Sequence, residues 1–145
     1  MAASISFYNN WKIAIGEVVP RTATFKVTLH SSLYTFAATH NVYADLTNEL
    51  ATASGYTNTG VALATVTWTQ ASGTATFTAA NTTWTASGGS IVARRAVIRA
   101  VGTFNTQVDP LVASVLLDTT PADVTTTTGN VLTLQWNASG IFTLA

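Results

Sequence analysis

Apolar and polar side chains alternate along most of this chain with a period of two, the spacing that puts successive residues on opposite faces of a β-strand. In TATFKVTLHS (22–31), Phe25, Val27 and Leu29 point one way and Thr24, Lys26, Thr28 and His30 the other, which predicts an amphipathic strand. VALATVTWTQ (61–70) sets Ala62, Ala64, Val66 and Trp68 against Thr65, Thr67 and Thr69; TATFTA (74–79) repeats the pattern around Phe77. Between them Ala71-Ser72-Gly73 makes a short connection in which glycine takes a positive φ, so the two runs read as a hairpin with Trp68 and Phe77 on one face.

SIVARRAVIRAV (90–101) is the most apolar run and reads as a central strand. It carries Arg95 and Arg99 on one side and Arg94 on the other, which argues against burial from both sides along its length. LVASVLLD (111–118) is the next strand, and VLTLQW with IFTLA closes the chain as a hairpin across residues 137–140. Residues 31–59 are the least regular, with a short strand near Val42. Residues 7–18, FYNNWKIAIGEV, break the rhythm. Phe7, Trp11, Ile15 and Val18 recur at helical spacing, while Ile13 and Ile15 also suit a strand.

Residues 1–20 are thus an N-terminal short helix or extended arm, and residues 21–145 one β domain. The expected class is all-β, a single antiparallel β-sandwich or small barrel of about seven to nine strands. Its predicted core includes Phe25, Val27, Trp68, Phe77, Ile98, Val115, Leu134 and Trp136.

Composition sharpens this. Only 8% of the 145 residues are charged and the net charge is zero, whereas threonine (28) and alanine (23) fill the polar and small positions. Such a surface costs little to desolvate against a neighbour, because no ion sheds its hydration. With four Trp, four Tyr and six Phe for contact area, the balance points to a component of an assembly. The chain has no cysteine, which removes thiolate nucleophiles, zinc–thiolate sites and iron–sulfur clusters. No basic n-region followed by an apolar h-region opens the chain, and no run of membrane-spanning length lacks polar residues, so neither secretion nor a membrane partner is expected.

Candidate chemistry is sparse. His30 falls on the polar side of its strand and His40 in a loop, positions that suit solvent exposure or ordinary hydrogen bonding. Together with Asp45 they lack the spacing of a metal motif. Asp45 and Glu49 suit a solvated loop or a cap, and Asp109, Asp118 and Asp123 lie beside turns where carboxylates bind backbone N–H groups. No phosphate-binding glycine loop precedes a helix. The reading is non-enzymatic: no catalytic, cofactor-binding or metal-ligating residue, no small-molecule substrate and, at zero net charge, no nucleic acid.

Arg94, Arg95 and Arg99 are the sharpest basic feature, able to grip carboxylates across a subunit boundary. Phe7, Tyr8 and Trp11 are the candidate aromatic anchor for the same boundary. A carbohydrate-binding β-sandwich is the reading of another class, with Trp68, Trp84 or Trp136 stacking on sugar rings.

Four stretches in order resemble a family of small tailed-bacteriophage virion proteins that includes capsid decoration (cement) proteins. They are FKVTLHSSLYTF (25–36), DLTNE (45–49) leading to SGYTNTGVAL (54–63), TWTASGGSIVARRAVI (83–98) and TLQWNASGIFTLA (133–145). The resemblance spans roughly residues 5–145. The chain departs from the family at Asn58-Thr59-Gly60, where a Gly-Gly pair is expected, and at Arg95, where an aromatic is expected. What the resemblance implies is a virion location after assembly in a bacterial cytoplasm, many symmetric copies, and docking on the major capsid protein. The alternative within the virion is a tail, adaptor or fibre component.

Overall fold

In the computed structural model, which describes residues 4–8, 23–120 and 122–144, the protein is all-β with several antiparallel sheets. Fourteen strands are present among the described residues, more numerous and shorter than the periodicity suggests. They are β1 (Ser4–Phe7), β2 (Thr24–His30), β3 (Val61–Ala62), β4 (Thr67–Ala71), β5 (Thr74–Thr78), β6 (Thr82–Thr85) and β7 (Ile91–Ala93). After these come β8 (Arg95–Val101), β9 (Thr103–Phe104), β10 (Gln107–Val108), β11 (Leu111–Leu116), β12 (Val124–Thr126), β13 (Val131–Leu134) and β14 (Phe142–Leu144).

The largest sheet has the order β1-β11-β8-β2-β3. Its centre, β8, is the apolar run expected to be central, but Ala96 to Ala100 are buried on both faces, Arg99 included. The run 90–101 is also not one strand. At Arg94 the chain leaves β7, which pairs with β12, and enters β8; the Arg94 N–H donates to the His30 carbonyl (2.8 Å) and its carbonyl accepts from the Leu117 N–H (3.1 Å). From Val27 to His30 both faces of β2 are covered too. Thr28 and His30, on its polar side, are fully buried because residues 47–50 fold across them, with Leu50 N–H donating to the Leu29 carbonyl at 2.9 Å.

The hairpin predicted around Gly73 is present. Trp68 pairs directly with Phe77, the rings 5.0 Å apart, and Ser72 and Gly73 form the two-residue turn at φ 50° and 84°. Left-handed φ at both central positions is what a tight hairpin needs to match the strand twist. The closing hairpin is not formed: β13 pairs with β6 and β14 with β5. A three-stranded sheet, β14-β5-β4, packs against the five-stranded one, with Phe25 against Phe77 (5.0 Å) and Phe7 against Phe142 (5.1 Å). In place of a strand near Val42 there is one 3-10 turn at Tyr43–Asp45, and Val42 itself makes an isolated bridge to Pro110.

Segments 82–93 and 124–134 run antiparallel as β6×β13 and β7×β12, joined across a break where Ala86 N–H donates to the Asn130 carbonyl (2.9 Å) and Gly129 N–H to the Ala86 carbonyl (2.8 Å). One face buries Trp84, Ile91, Ala93, Leu132 and Leu134; the other exposes Thr83, Thr85, Val92, Thr125, Val131 and Thr133. The alternation of these strands is therefore a division between core and surface.

Candidate functional site

The aromatic anchor splits. Phe7 is half-buried on β1 against Phe142, and Tyr8 is fully buried with its hydroxyl sharing a hydrogen bond with that of Tyr34 at 2.9 Å. Burial and the Tyr34 hydroxyl push the Tyr8 phenol well above its ordinary range. Tyr8 thus has no area to offer a neighbour, which corrects the expectation for that ring. Trp11, like the rest of the helical spacing beyond Phe7, lies outside the described residues.

The three arginines are not one cluster. Arg94 pairs with Asp123 at 2.7 Å near the surface. Arg95 donates to the Ser114 hydroxyl at 3.3 Å and stands 5.7 Å from the Phe36 ring centroid, an aromatic supplied by a distant segment. Arg99 is 4% exposed: Nη1 donates to Asp109 (2.5 Å), Nη2 to the Thr59 carbonyl (3.2 Å), and the guanidinium lies over the Tyr43 ring at 4.1 Å. Arg94 and Arg99 thus spend their charge on carboxylates of their own chain, and Arg99 has no exposed surface for a partner.

Around Arg99 the structure assembles a polar cluster from segments far apart in the chain, with no local motif to announce it. Glu49 accepts from the Tyr43 hydroxyl, the Tyr56 hydroxyl (2.6 Å) and the Thr59 N–H (2.7 Å). Burial and the Glu49 carboxylate push Tyr43 up to about 12, and Tyr56 rises for the same reasons. Asp45 accepts from the Asn41 and Val42 N–H groups (2.7 and 3.0 Å), which holds its carboxyl below the ordinary range, as the capping alternative predicts. Asp109 accepts from Gly102 N–H and Asp118 from Thr120 N–H, the turn roles expected of them.

His30 is wholly buried, not solvent-facing. Nδ1 lies 2.9 Å from the Thr47 carbonyl, which can only accept, so Nδ1 carries the proton and Nε2 accepts from the Thr28 hydroxyl at 2.9 Å. Burial lowers its pKa. His40 approaches the Tyr34 hydroxyl through Nδ1 at 3.3 Å. No group of three or more metal-ligating side chains is gathered among the described residues.

Of the tryptophans named as sugar platforms, Trp84 and Trp136 are in the core and Trp68 packs partly buried against it. Trp84 is 3% and Trp136 9% exposed, with the Trp136 indole donating to the Ala80 carbonyl at 3.1 Å, and half-buried Trp68 packs on Phe77 and Phe142. Trp84 and Trp136 therefore present no open ring face to a sugar.

Two surface features stand out among the described residues. One is the outer face of the 82–93/124–134 ribbon, in a part of the chain where residues 50–93 and 124–145 contain no Asp, Glu, Lys or Arg. The other is a groove of about 520 Å³ beside β1, lined by Ile5, Val115, Leu134, Trp136, Asn137 and Ile141 among others, none of them ionised.

No family model, curated protein or solved structure matches this chain.

Proposed function

We propose that this protein is a non-enzymatic structural component of a bacteriophage virion that decorates or stabilises the capsid through contacts with the major capsid protein. The observation that carries the reading is the charge-free ribbon face, Thr83, Thr85, Val92, Thr125, Val131 and Thr133. An uncharged surface of threonine and valine desolvates at small cost and can be held by stationary packing against a neutral partner. The order of motifs resembling the phage family supports the same assignment. The ring contacts Phe25–Phe77 and Phe7–Phe142 between sheets support taking the fold as a sandwich, a rigid body suited to repeated docking.

The test is reconstitution. Tailed-phage particles assembled without this chain are mixed with the purified folded protein and imaged by electron cryomicroscopy. Added density at symmetry-related positions on the head is the expected result. Density confined to the tail would replace decoration by a tail, adaptor or fibre role, and particles left bare by a folded chain would overturn the virion reading.

A further inference from the structure

The five-stranded sheet ends in two unlike edges. At one end β3 is only two residues long and lies beside Lys26, which pairs with Ala62. Short length and a nearby lysine are two of the devices that blunt an edge against strand addition. At the other end β1, Ser4-Ile5-Ser6-Phe7, is four residues long and carries no lysine. It contains no charge and no proline, its register with β11 runs from Ser4↔Leu116 to Phe7↔Ala113 without a bulge, and β11 is its only strand partner among the described residues. Ile5 is 37% exposed there, directly opposite Val115, and the two line the groove bounded beyond by Leu134, Trp136 and Ile141.

We infer that β1 is a self-pairing edge: two copies of this chain join β1 to β1 antiparallel across a two-fold axis, continuing the five-stranded sheet from one copy into the other. The occupant is a second copy because the chain supplies both halves of what the site needs. An end strand can add another strand through its outer backbone N–H and C=O groups, and β1, an end strand among the described residues, is itself uncharged and of matching length. A two-fold contact uses the same patch twice, so its chemistry must be self-complementary. Neither β1 nor the groove brings an ionised group to desolvate, and at zero net charge two copies do not repel. In an antiparallel pair the residue opposite Ile5 points to the same face of the sheet, which places it over the groove. The pairing is independent of the virion reading, since it belongs to the purified chain.

Sedimentation velocity of the full chain over a concentration series tests it, with Ile5→Lys and, as a distant control, Leu33→Lys at a position 75% exposed. A lysine on the edge adds charge that the neighbouring copy repeats. The expected result is a dimer for the parent and the control, and a dissociation constant raised by about tenfold or more for Ile5→Lys. A parent chain that stays monomeric throughout, or an Ile5→Lys dimer as tight as the parent's, overturns the pairing. Should Ile5→Lys fail to fold, amide exchange of the parent decides. Added protection at Ser4–Phe7 as dimer forms supports the pairing, and a dimer without it overturns the pairing.

Discussion

Arg99 lies 4% exposed between Asp109, the Thr59 carbonyl and the face of Tyr43, while Asp109 keeps 24% of its side chain exposed. Removing one partner of a buried pair strands the other, and the partial exposure of Asp109 moderates the loss. Arg99→Ala should therefore cost about 3 kcal/mol of unfolding free energy in a urea titration. A cost near zero would mean that the pair is idle. His30 gives a pH dependence. Its folded pKa lies below its ordinary value of 6.5 because burial disfavours the charged ring. The unfolded chain then binds the proton more readily, so the stability due to neutral His30 is whole above about 6.5 and falls as pH drops toward the folded value. The slope of stability against pH over mildly acidic conditions should flatten in His30→Gln. Asp45 acts in a lower window: its pKa is depressed from 3.8, so its contribution is lost only in stronger acid.

Among the elements, the turn at residues 58–60 is tightly constrained. Thr59 has φ 80° and is held there by its N–H on Glu49 and its carbonyl on Arg99; Gly60 follows at φ 78°. A Cβ on Gly60 would stand 2.1 Å from the Val27 carbonyl oxygen, so Gly60→Ala should cost at least about 2 kcal/mol. Thr59→Gly has the opposite sign. It relieves a β-branched residue in the left-handed region, worth about 1–3 kcal/mol, against the smaller entropic cost of glycine, and should raise the melting temperature. In the β4–β5 hairpin, Phe77→Ala should cost about 3–5 kcal/mol and half-buried Trp68→Ala less, by chemical denaturation.

At the scale of the whole molecule, charge is partitioned. The described ionised side chains lie on β2, in residues 45–49 and between residues 94 and 123, and the ribbon face has none. Docking through that face should change little with added salt, because there is no ion pair to screen. Val131→Glu should weaken particle occupancy about tenfold or more while folding is unchanged, since the carboxylate must be desolvated. Occupancy that falls steeply with salt, or that ignores Val131→Glu, would move the contact elsewhere.

How much of this was legible in the sequence follows from the range of each interaction. The all-β class, the hairpin around Gly73 and the core positions Phe25, Val27, Phe77, Ile98, Val115, Leu134 and Trp136 were readable, because period-two alternation and turn chemistry act between near neighbours. The absence of thiol chemistry and the charge-free segments were equally plain. Only the tertiary structure decided that β13 joins β6 and β14 joins β5, that Glu49 gathers Tyr43 and Tyr56, and that Arg99 turns inward to Asp109. A sequence pattern marks which side of a strand is polar, but not what the rest of the chain lays across it. Residues 47–50 cover Thr28 and His30, and so turn an apparent solvent face into a buried hydrogen-bonded one.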